Sequence, residues 1–331
     1  MKIGLHSNQL DGRGTGKAIY DFAIGLRDLL GHDITIISSK QHTNEHLNII
    51  KRDNFKTILY DMPTVGNQSY QERLKTKELL STIVRSEYLD FMFFLKSGHN
   101  DNITPENCKT GIQCVFTMNE PHGNIYAAVS HYVAQKYNQS LWCPASILKN
   151  YEPTENLRLK YNIPKDAMVI GRHGGNNTFN IPFVKSTVKN TLDTRPDLYF
   201  LFLSTEKFIT HERVIFLPWV ETEQEKFNFI HACDAMLHAR IDGETFGTAV
   251  AEFSIANKPV ITFRGINTSG YDTCHLELLG DKAMIYNNEL ELSNILFNID
   301  KPLVSSTNWD MYSKYYNQKS VINRFKEVYL S

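Results

Sequence analysis

Residues 240–252, which read RIDGETFGTAVAE, constrain the structure of this chain more than any other segment. Glu244 and Glu252 lie eight positions apart, and a Phe-Gly pair and a run of small residues separate them. The pattern predicts a loop, a glycine turn, a helix and then a strand, with Glu252 about one turn inside the helix. The first amides of a helix have no partner within it, so this segment offers an anion site between two carboxylates. The alternative is a solvated helix face, which the small residues and the Phe-Gly pair disfavour.

Length and charge restrict the class of protein. A chain of 331 residues favours two domains over one. Its formal net charge of -1 argues against a nucleic-acid binder that relies on bulk positive charge. No apolar run is long enough to cross a bilayer, which leaves only peripheral membrane contact open.

The cysteines and the first residues bear on the compartment. The five cysteines are odd in number and scattered, without a CxxC pair. Residues 1–5 enter a strand pattern directly and lack the apolar length of a signal peptide. We therefore expect a reduced, cytoplasmic protein with buried thiols.

Strand and helix patterns alternate along the first half of the chain. A strand at 2–5, a glycine-containing loop to Gly16, a helix at 17–30 and a strand at 33–38 form a βαβ unit that opens a parallel sheet. Further strands are predicted at 57–60, 91–95, 113–117 and 126–129, and helices at 70–86 and 130–137.

A second alternation follows a polar, proline-flanked connection at 151–164, which marks a domain boundary. The predicted strands are 168–171, 199–203, 214–217, 235–238 and 260–262, and the predicted helices are 182–191, 222–233, 248–256 and 309–330. The fold class is therefore α/β, with two doubly wound, Rossmann-like domains that face each other across a cleft. We place the domains at 1–148 and 149–308, followed by a C-terminal helix at 309–331. Ligands of such sheets bind at the carboxyl ends of the strands.

The glycine-rich run at 11–18 resembles a nucleotide loop only in part. Asp11 stands where a P-loop has glycine, and Ala18 stands where it has the serine or threonine that holds Mg²⁺. Its third glycine comes one residue too early for GxGxxG. Two interpretations stay open: a plain turn, or a loop whose amides contact a phosphate or sugar through Gly14, Thr15 and Gly16.

Two further loops follow predicted strands. Arg172, with Gly174 and Gly175 behind it, could hold an anion through its guanidinium and the glycine amides. The alternative is a surface arginine beside a turn. His122 follows the 113–117 strand and could move a proton or bind a sugar hydroxyl, although a lone loop histidine is often incidental.

Other catalytic sites find no support in the sequence. The histidines form no HExxH or similar spacing, and no Asp-x-Asp pair occurs, so we expect no metal and no cofactor. No Gly-x-Ser-x-Gly elbow is present, so a serine hydrolase is not supported.

Residues 244–252 resemble the E-x7-E signature of retaining GT-B glycosyltransferases, the family 4 or group 1 enzymes that include bacterial mannosyl- and glucosyltransferases. Residues 256–261 resemble the "A-x-G-x-P-V" continuation of that signature. The supporting likenesses are Gly14–Gly16 before a helix, AVS at 128–130, FLPWV at 216–220, and a C-terminal helix like the one that crosses back to the first domain.

The resemblance implies that the first domain binds an acceptor and the second a nucleoside-diphosphate sugar. Glu252 would accept hydrogen bonds from the ribose hydroxyls, and Glu244 would hold a hydroxyl of the donor sugar. The amides of Gly247, Thr248 and Ala249 would face the diphosphate. The base would be framed by Leu217, Trp219 and Val220.

One departure from the family concerns cations. The family carries a lysine shortly after the arginine, and none follows Arg172 here. We expect Arg172, Arg240 and the glycine amides to neutralise the leaving diphosphate instead. Asn119 stands where the family has a histidine, so His122 is assigned to that place.

The function that the resemblance implies is a retaining, metal-independent transfer of a hexose-type sugar to a hydroxyl of a glycan, glycolipid or glycoprotein. Three alternatives stay open. Two are other enzymes of the same fold, a nucleotide-sugar epimerase or a sugar phosphorylase. The third is a non-catalytic protein that only binds a nucleotide sugar.

Overall fold

The computed structural model describes residues 1–10, 14–42, 53–63, 65–144, 147–265 and 270–331. The predictions for Asp11, Gly12 and Arg13 therefore lie outside the described residues. The chain forms two compact units, one of Met1–Ile147 with Tyr315–Ser331 and one of Leu148–Lys314. Within the described residues, no helix is both long enough and apolar enough to span a membrane.

The first unit is built on a six-stranded parallel sheet. Its strands are β1 (Lys2–Ser7), β2 (Asp33–Ser39), β3 (Lys56–Tyr60), β4 (Phe91–Lys96), β5 (Lys109–Cys114) and β6 (Ile125–Ala128). They lie in the order β3-β2-β1-β4-β5-β6. This is the doubly wound order, and it reverses direction between β1 and β4.

Three helices accompany this sheet: α1 (Gly14–Leu30), α2 (Tyr70–Glu87) and α3 (His131–Lys136). Short 3₁₀ turns lie at Lys40–His42 and Val65–Asn67. Helix α2 begins where the sequence dictates, because Ser69 and Glu72 form a reciprocal capping box. Helix α1 buries one apolar stripe, including Ile19, Phe22 and Leu26, and stops at Gly31 in the left-handed region.

The second unit holds another six-stranded parallel sheet and a two-stranded one. The strands are β7 (Met168–Arg172), β8 (Leu198–Leu203), β9 (Val214–Leu217), β10 (Ala235–His238), β11 (Gly243–Glu244), β12 (Val260–Phe263), β13 (Asp272–Thr273) and β14 (Ala283–Tyr286). The large sheet has the order β14-β12-β10-β7-β8-β9, and β11 pairs with β13. Its chain order reverses between β7 and β10, so this sheet is doubly wound as well.

Helices cover the second sheet. They are α4 (Leu157–Lys160), α5 (Pro182–Thr194), α6 (Glu223–Ala232), α7 (Thr248–Ile255), α8 (Cys274–Leu279), α9 (Glu289–Asn298) and α10 (Lys301–Ser306), with a 3₁₀ turn at Gly280–Lys282. Thr222 and Glu225 form a capping box that opens α6. The two predicted doubly wound domains are thus confirmed as folds.

The C-terminal segment differs from its prediction. Instead of one helix over 309–330, the chain forms α11 (Ser313–Tyr316), α12 (Gln318–Phe325) and a π-helical turn at Lys326–Leu330. The residues before α11 are held by side chains of the second unit, since the amide of Trp309 donates to Asn257 and that of Met311 to Ser254. These bonds replace the helical pattern there.

Residues 315–331 belong to the first unit, as the predicted return of the C-terminal helix requires. Phe325 packs against Phe22 and Phe93 with ring centroids 5.1 and 5.0 Å apart. Gly25 allows the close approach of this segment, because a Cβ at that position would lie 2.4 Å from the Ile322 side chain. Aromatic burial therefore attaches the end of the chain to α1 and β4.

Two element boundaries were predicted wrongly in the first unit. Helix α1 begins at Gly14, not Lys17, so the three residues from Gly14 form its first turn rather than a loop. Strand β5 spans Lys109–Cys114, not 113–117. It contains a buried Gln113, whose amide donates to the carbonyls of Cys143 and Pro144. That tertiary pairing makes a polar side chain acceptable inside the sheet.

Candidate functional site

The carboxyl ends of β7 and β10 define the candidate site in the second unit. These strands are neighbours in the sheet, and the order of the chain reverses between them. Arg172 ends β7 and is followed by His173, whereas His238 ends β10 and is followed two residues later by Arg240. Ligands of doubly wound sheets bind at such a reversal, so four basic side chains stand where binding is expected.

Two glycines shape the segment that carries the paired glutamates. Gly243 has φ 67°, and a Cβ there would lie 2.0 Å from the carbonyl oxygen of Asp272. Gly247 has φ 84° and caps helix α7. A Cβ there would lie only 3.2 Å from His275 Cβ and 3.3 Å from Glu244 Cβ. Positive φ and close packing together require glycine at both places. They fix the backbone on either side of Glu244.

Glu244 is an ionised, partly exposed carboxylate held from two sides. Its Oε1 lies 3.2 Å from Nε2 of His238, and its Oε2 accepts a hydrogen bond of 2.9 Å from Nη1 of Arg240. Burial would raise the pKa of Glu244, but the hydrogen bond from His238 and the charge of Arg240 outweigh it and hold the pKa below its usual value. The side chain remains 18% exposed. Each oxygen keeps lone-pair capacity for a hydroxyl donor.

Glu252 is placed very differently, although the sequence treats it as the partner of Glu244. Its side chain is 2% exposed and lies on α7 with Oε1 2.6 Å from Nζ of Lys226. Its Oε2 lies 3.1 Å from Nε2 of His173, off the direction of a well-formed hydrogen bond. Burial lowers the pKa of His173 despite the neighbouring carboxylate. The ribose-binding role of Glu252 stays a prediction, and in this structure its carboxylate is engaged by protein groups.

Arg172 is buried, with 3% exposure, and its guanidinium makes four hydrogen bonds inside the protein. Nη1 donates to the carbonyl of Ser204 and the hydroxyl of Thr205, and Nη2 donates to the carbonyl of Gly175 and the hydroxyl of Thr178. Burial lowers its pKa to about 10. These bonds fix the loop that contains Gly174, which has φ 147°. Contact with a diphosphate would require Arg172 to exchange some of them.

Arg240 is the more accessible of the two predicted phosphate ligands. Its side chain is 25% exposed, Nη1 is used by Glu244, and Nε lies 3.7 Å from Oδ2 of Asp242. The start of α7 also points to anion binding, because Gly247 has no side chain that could cap the helix. Thr248 and Ala249 are half-buried at this helix start.

Other predicted site residues lie elsewhere. Leu217 ends the edge strand β9, two strands from β7, and Trp219 and Val220 follow it. In the first unit, Gly14, Thr15 and Gly16 form the start of α1. The hydroxyl oxygen of Thr15 is buried and has no hydrogen-bond partner among the described residues. The structure groups Glu244, Arg172 and Arg240 near one sheet reversal, while the base-framing and glycine-run roles stay predictions.

His122 lies in the loop between β5 and β6. Its Nδ1 is 2.7 Å from the carbonyl oxygen of Glu120, which can only accept, so Nδ1 carries the proton. Burial lowers its pKa. By Asn124 the loop has returned to Thr110 near the start of β5, so His122 lies on the returning part of the loop and not directly at the strand end. Its role toward an acceptor stays a prediction.

Sequence reasoning missed several side chains of this site. His238, Thr262 and His275 form a buried hydrogen-bonded row behind Glu244. His238 could have been found, because it is the last residue of a predicted strand. Lys226 could not, because it lies 26 residues from Glu252 on another helix. Among the residues that the structure describes, no group of three or more His, Cys, Asp or Glu side chains is arranged to hold a metal ion.

Neither known family models nor curated protein sequences give a significant match to this chain. Solved structures do. Anabaena Alr3699/HepE in complex with UDP-glucose superposes with a TM-score of 0.75 at 12% identity, over 99% of this chain and 98% of HepE. The chain has the GT-B fold.

Two further GT-B neighbours show the range of this fold. WaaG, a glycosyltransferase involved in lipopolysaccharide biosynthesis, gives a TM-score of 0.70 at 11% identity over 99% of both chains. A UDP-N-acetylglucosamine 2-epimerase candidate from Listeria monocytogenes gives 0.63 at 10% identity, over 98% of this chain and 96% of its own. At such identities the likeness establishes the GT-B architecture along the whole chain.

Proposed function

We propose that this chain is a glycosyltransferase that transfers a hexose-type sugar from a nucleoside-diphosphate sugar to a hydroxyl of a glycan or glycoconjugate. The observation that carries the proposal is the placement of Glu244 beside the start of α7. An ionised carboxylate that accepts sugar hydroxyls and a helix start that attracts phosphate lie on either side of Gly247. The full-length likeness to HepE with UDP-glucose and to WaaG supports the same function.

In this proposal, different residues of the site bind different parts of the donor. Glu244 binds a hydroxyl of the donor sugar, and the amides of Gly247, Thr248 and Ala249 meet the diphosphate. Arg240, which is partly exposed and close to the same carboxylate, adds positive charge. Glu252 and the Leu217–Val220 segment serve ribose and base, as the family resemblance implies.

The proposed reaction depends on stabilising the negative charge of the leaving diphosphate. The bond between the sugar and the diphosphate breaks as negative charge grows on the leaving phosphate, and fixed amides and Arg240 stabilise that charge. We propose that this stabilisation needs no metal. The acceptor hydroxyl attacks from the face that the diphosphate leaves and passes its proton to the departing phosphate oxygen, so the anomeric configuration is retained without a protein nucleophile. The five free cysteines fit a reducing compartment such as the cytoplasm.

A non-catalytic nucleotide-sugar binder is the second candidate. One observation favours a binder: the guanidinium of Arg172 is hydrogen-bonded to protein groups, so it is not held ready for a leaving diphosphate. A nucleotide-sugar epimerase is the third, supported by the GT-B neighbour from Listeria.

Binding and turnover of nucleotide sugars test the proposal. UDP-, GDP- and ADP-hexoses are titrated into the full chain by calorimetry, with and without EDTA. The complexes are then incubated in water alone and with methanol as a minimal acceptor, and the products are identified by NMR. We expect one base to bind with a dissociation constant below millimolar, in EDTA as well, followed by slow release of the sugar in water. With methanol we expect a methyl glycoside, which does not mutarotate, with the anomeric configuration of the donor.

Each alternative has its own result. Binding without any turnover identifies a binder, and a nucleotide sugar with an inverted carbon identifies an epimerase. A methyl glycoside of the opposite anomeric configuration, or turnover restored only by a divalent cation, contradicts the retaining, metal-free mechanism. If none of the nucleotide sugars binds at millimolar concentration, the proposed donor site is wrong.

A further inference from the structure

A row of buried side chains runs from Glu244 into the second unit. His238 Nδ1 lies 2.9 Å from the hydroxyl oxygen of Thr262, which lies 3.1 Å from Nε2 of His275. Nε2 of His275 is also 3.4 Å from the hydroxyl oxygen of Tyr271. Both histidines and Thr262 are buried, and His238 and Thr262 are paired residues of the neighbouring strands β10 and β12. The row is therefore held by the sheet itself.

The ends of this row determine which atom carries each proton. At one end, the ionised carboxylate of Glu244 can only accept, so Nε2 of His238 donates to it. At the other end, the Tyr271 hydroxyl donates to the carbonyl of Phe263, so its oxygen can only accept from Nε2 of His275. Nε2–H of His275 then serves both Tyr271 and Thr262.

The proton of Thr262, in the middle of the row, has a place that agrees with both ends. Since Thr262 accepts from His275, its own hydroxyl proton is available for Nδ1 of His238. The hydrogen bonds then run in one direction along the row, in the order His275, Thr262, His238, Glu244. A doubly protonated His238 would make Thr262 accept from both rings, so the Thr262 proton would leave the row. The other tautomer of His275 would place a buried N–H at Nδ1, an atom with no hydrogen-bond partner among the described residues.

We infer that His238, Thr262 and His275 are positioning residues, a one-way hydrogen-bonded row that fixes the rotation of the Glu244 carboxylate so that it can receive a donor-sugar hydroxyl. Arg240 holds the other oxygen of the carboxylate. With both oxygens held, the lone pairs that remain have fixed directions, as recognition of a particular sugar hydroxyl requires. This inference rests on the proposed function for the role of Glu244, but the order of the protons does not.

The order of the protons is tested by NMR on the full chain with ¹⁵N-labelled histidine. Two-bond ¹H–¹⁵N correlations distinguish Nε2–H from Nδ1–H rings, and His238→Gln and His275→Gln variants assign the signals. We expect both rings to be neutral with the proton on Nε2. A proton on Nδ1 of either ring, or a doubly protonated His238, overturns the inference.

The positioning role is tested by comparing UDP-glucose with UDP, because only the sugar would contact Glu244. Thr262→Val keeps the shape of the side chain and removes the hydroxyl, so we expect the dissociation constant of UDP-glucose to rise about five- to tenfold, the loss of one hydrogen bond. The constant for UDP should stay unchanged, and Thr262→Ser should restore both. Thr191→Val, which removes a buried hydroxyl from α5, serves as the control.

Equal weakening of UDP and UDP-glucose by Thr262→Val would show a merely structural role and overturn the positioning claim. Unchanged binding of both would do the same. If the wild-type chain binds neither compound nor any other nucleotide sugar, the proposed function fails, and the NMR result still decides whether the row exists.

Discussion

The carboxylate oxygen Oε1 of Glu252 lies 2.6 Å from the ammonium nitrogen of Lys226, and the Glu252 side chain is almost fully buried. Lys226 also lies 2.7 Å from Glu223 on its own helix, so it joins α6 to α7. Its counterpart in the motif, Glu244, is partly open. Of two glutamates that look equivalent in the sequence, one faces outward and the other holds two helices together.

Breaking the pair from one side should destabilise the second unit. Lys226→Met leaves the buried carboxylate of Glu252 without its cation, and we expect a loss of about 3 kcal/mol in the free energy of unfolding. Glu252→Gln should cost a similar amount. The double variant should cost less than the sum of the single ones, because the two changes remove one interaction.

Urea unfolding of the four proteins measures this coupling. Lys160→Met removes the exposed pair with Glu155 and serves as the control, for which we expect no measurable change. Strictly additive costs would contradict the account. A weaker affinity for UDP in Glu252→Gln but not in Lys226→Met would assign Glu252 a ribose contact as well.

Gly247 should tolerate no side chain. An alanine there needs φ 84° and places its Cβ 3.2 Å from His275 and 3.3 Å from Glu244. We expect Gly247→Ala to lower the free energy of unfolding by about 2 kcal/mol and to weaken nucleotide-sugar binding.

Gly270→Ala is the matched control for that variant. Gly270 has a similar φ of 79°, but a Cβ there would meet no atom of the described residues within 4 Å. It therefore reports the cost of the backbone conformation alone, about 1 kcal/mol. Thermal unfolding compares the two, and equal costs would show that crowding at Gly247 plays no part.

Acid should weaken the first unit through His6. Burial, followed by the charge of Lys96, lowers the pKa of His6 to about 3, so the folded chain excludes a proton that the unfolded chain binds below pH 6.5. Stability is therefore lost as the pH falls from 6.5 toward 3. This contribution should reduce the free energy of unfolding by about 2 kcal/mol between pH 7 and 5.

His6→Phe removes the titrating group and keeps a ring beside Phe94, whose centroid lies 4.9 Å from that of His6 in a tilted arrangement. Its stability relative to the wild type should improve by that amount as the pH falls from 7 to 5, as measured by urea unfolding. A difference that does not change with pH would mean that His6 takes up a proton in the folded chain.

Local patterns predicted the fold well where they coincide with burial. The strand at Val214–Leu217 and the start of α2 at Tyr70 depend on residues close together in sequence. The prediction for β5 began at Gln113 and missed the true start at Lys109, because Lys109 and Gly111 are of residue types that strands disfavour. The prediction of one C-terminal helix failed because the side chains of Ser254 and Asn257 accept hydrogen bonds from backbone amides of residues 309–311.

The site was predictable to the same extent. The glycine turn, the helix and the two glutamates are adjacent in the sequence, so their local geometry could be predicted. What each glutamate contacts could not, because Lys226, His173 and His238 come from other elements. The bonds of Arg172 to Thr178 and Thr205 were equally hidden, and its role as a phosphate ligand stays a prediction.

The dissociation constants of UDP-glucose and UDP for the wild type and for Glu244→Gln test the central claim most directly. If the chain prefers another base, the hexose derivative and the free nucleoside diphosphate of that base replace UDP-glucose and UDP. The amide of glutamine keeps the size of the side chain but loses the charge that Arg240 and His238 hold in place. We expect UDP-glucose to bind at least about tenfold more weakly to the variant, as for the loss of a hydrogen bond to a charged group, while the affinity for UDP does not fall. Equal affinity of UDP-glucose for both proteins would contradict a donor-sugar role for Glu244.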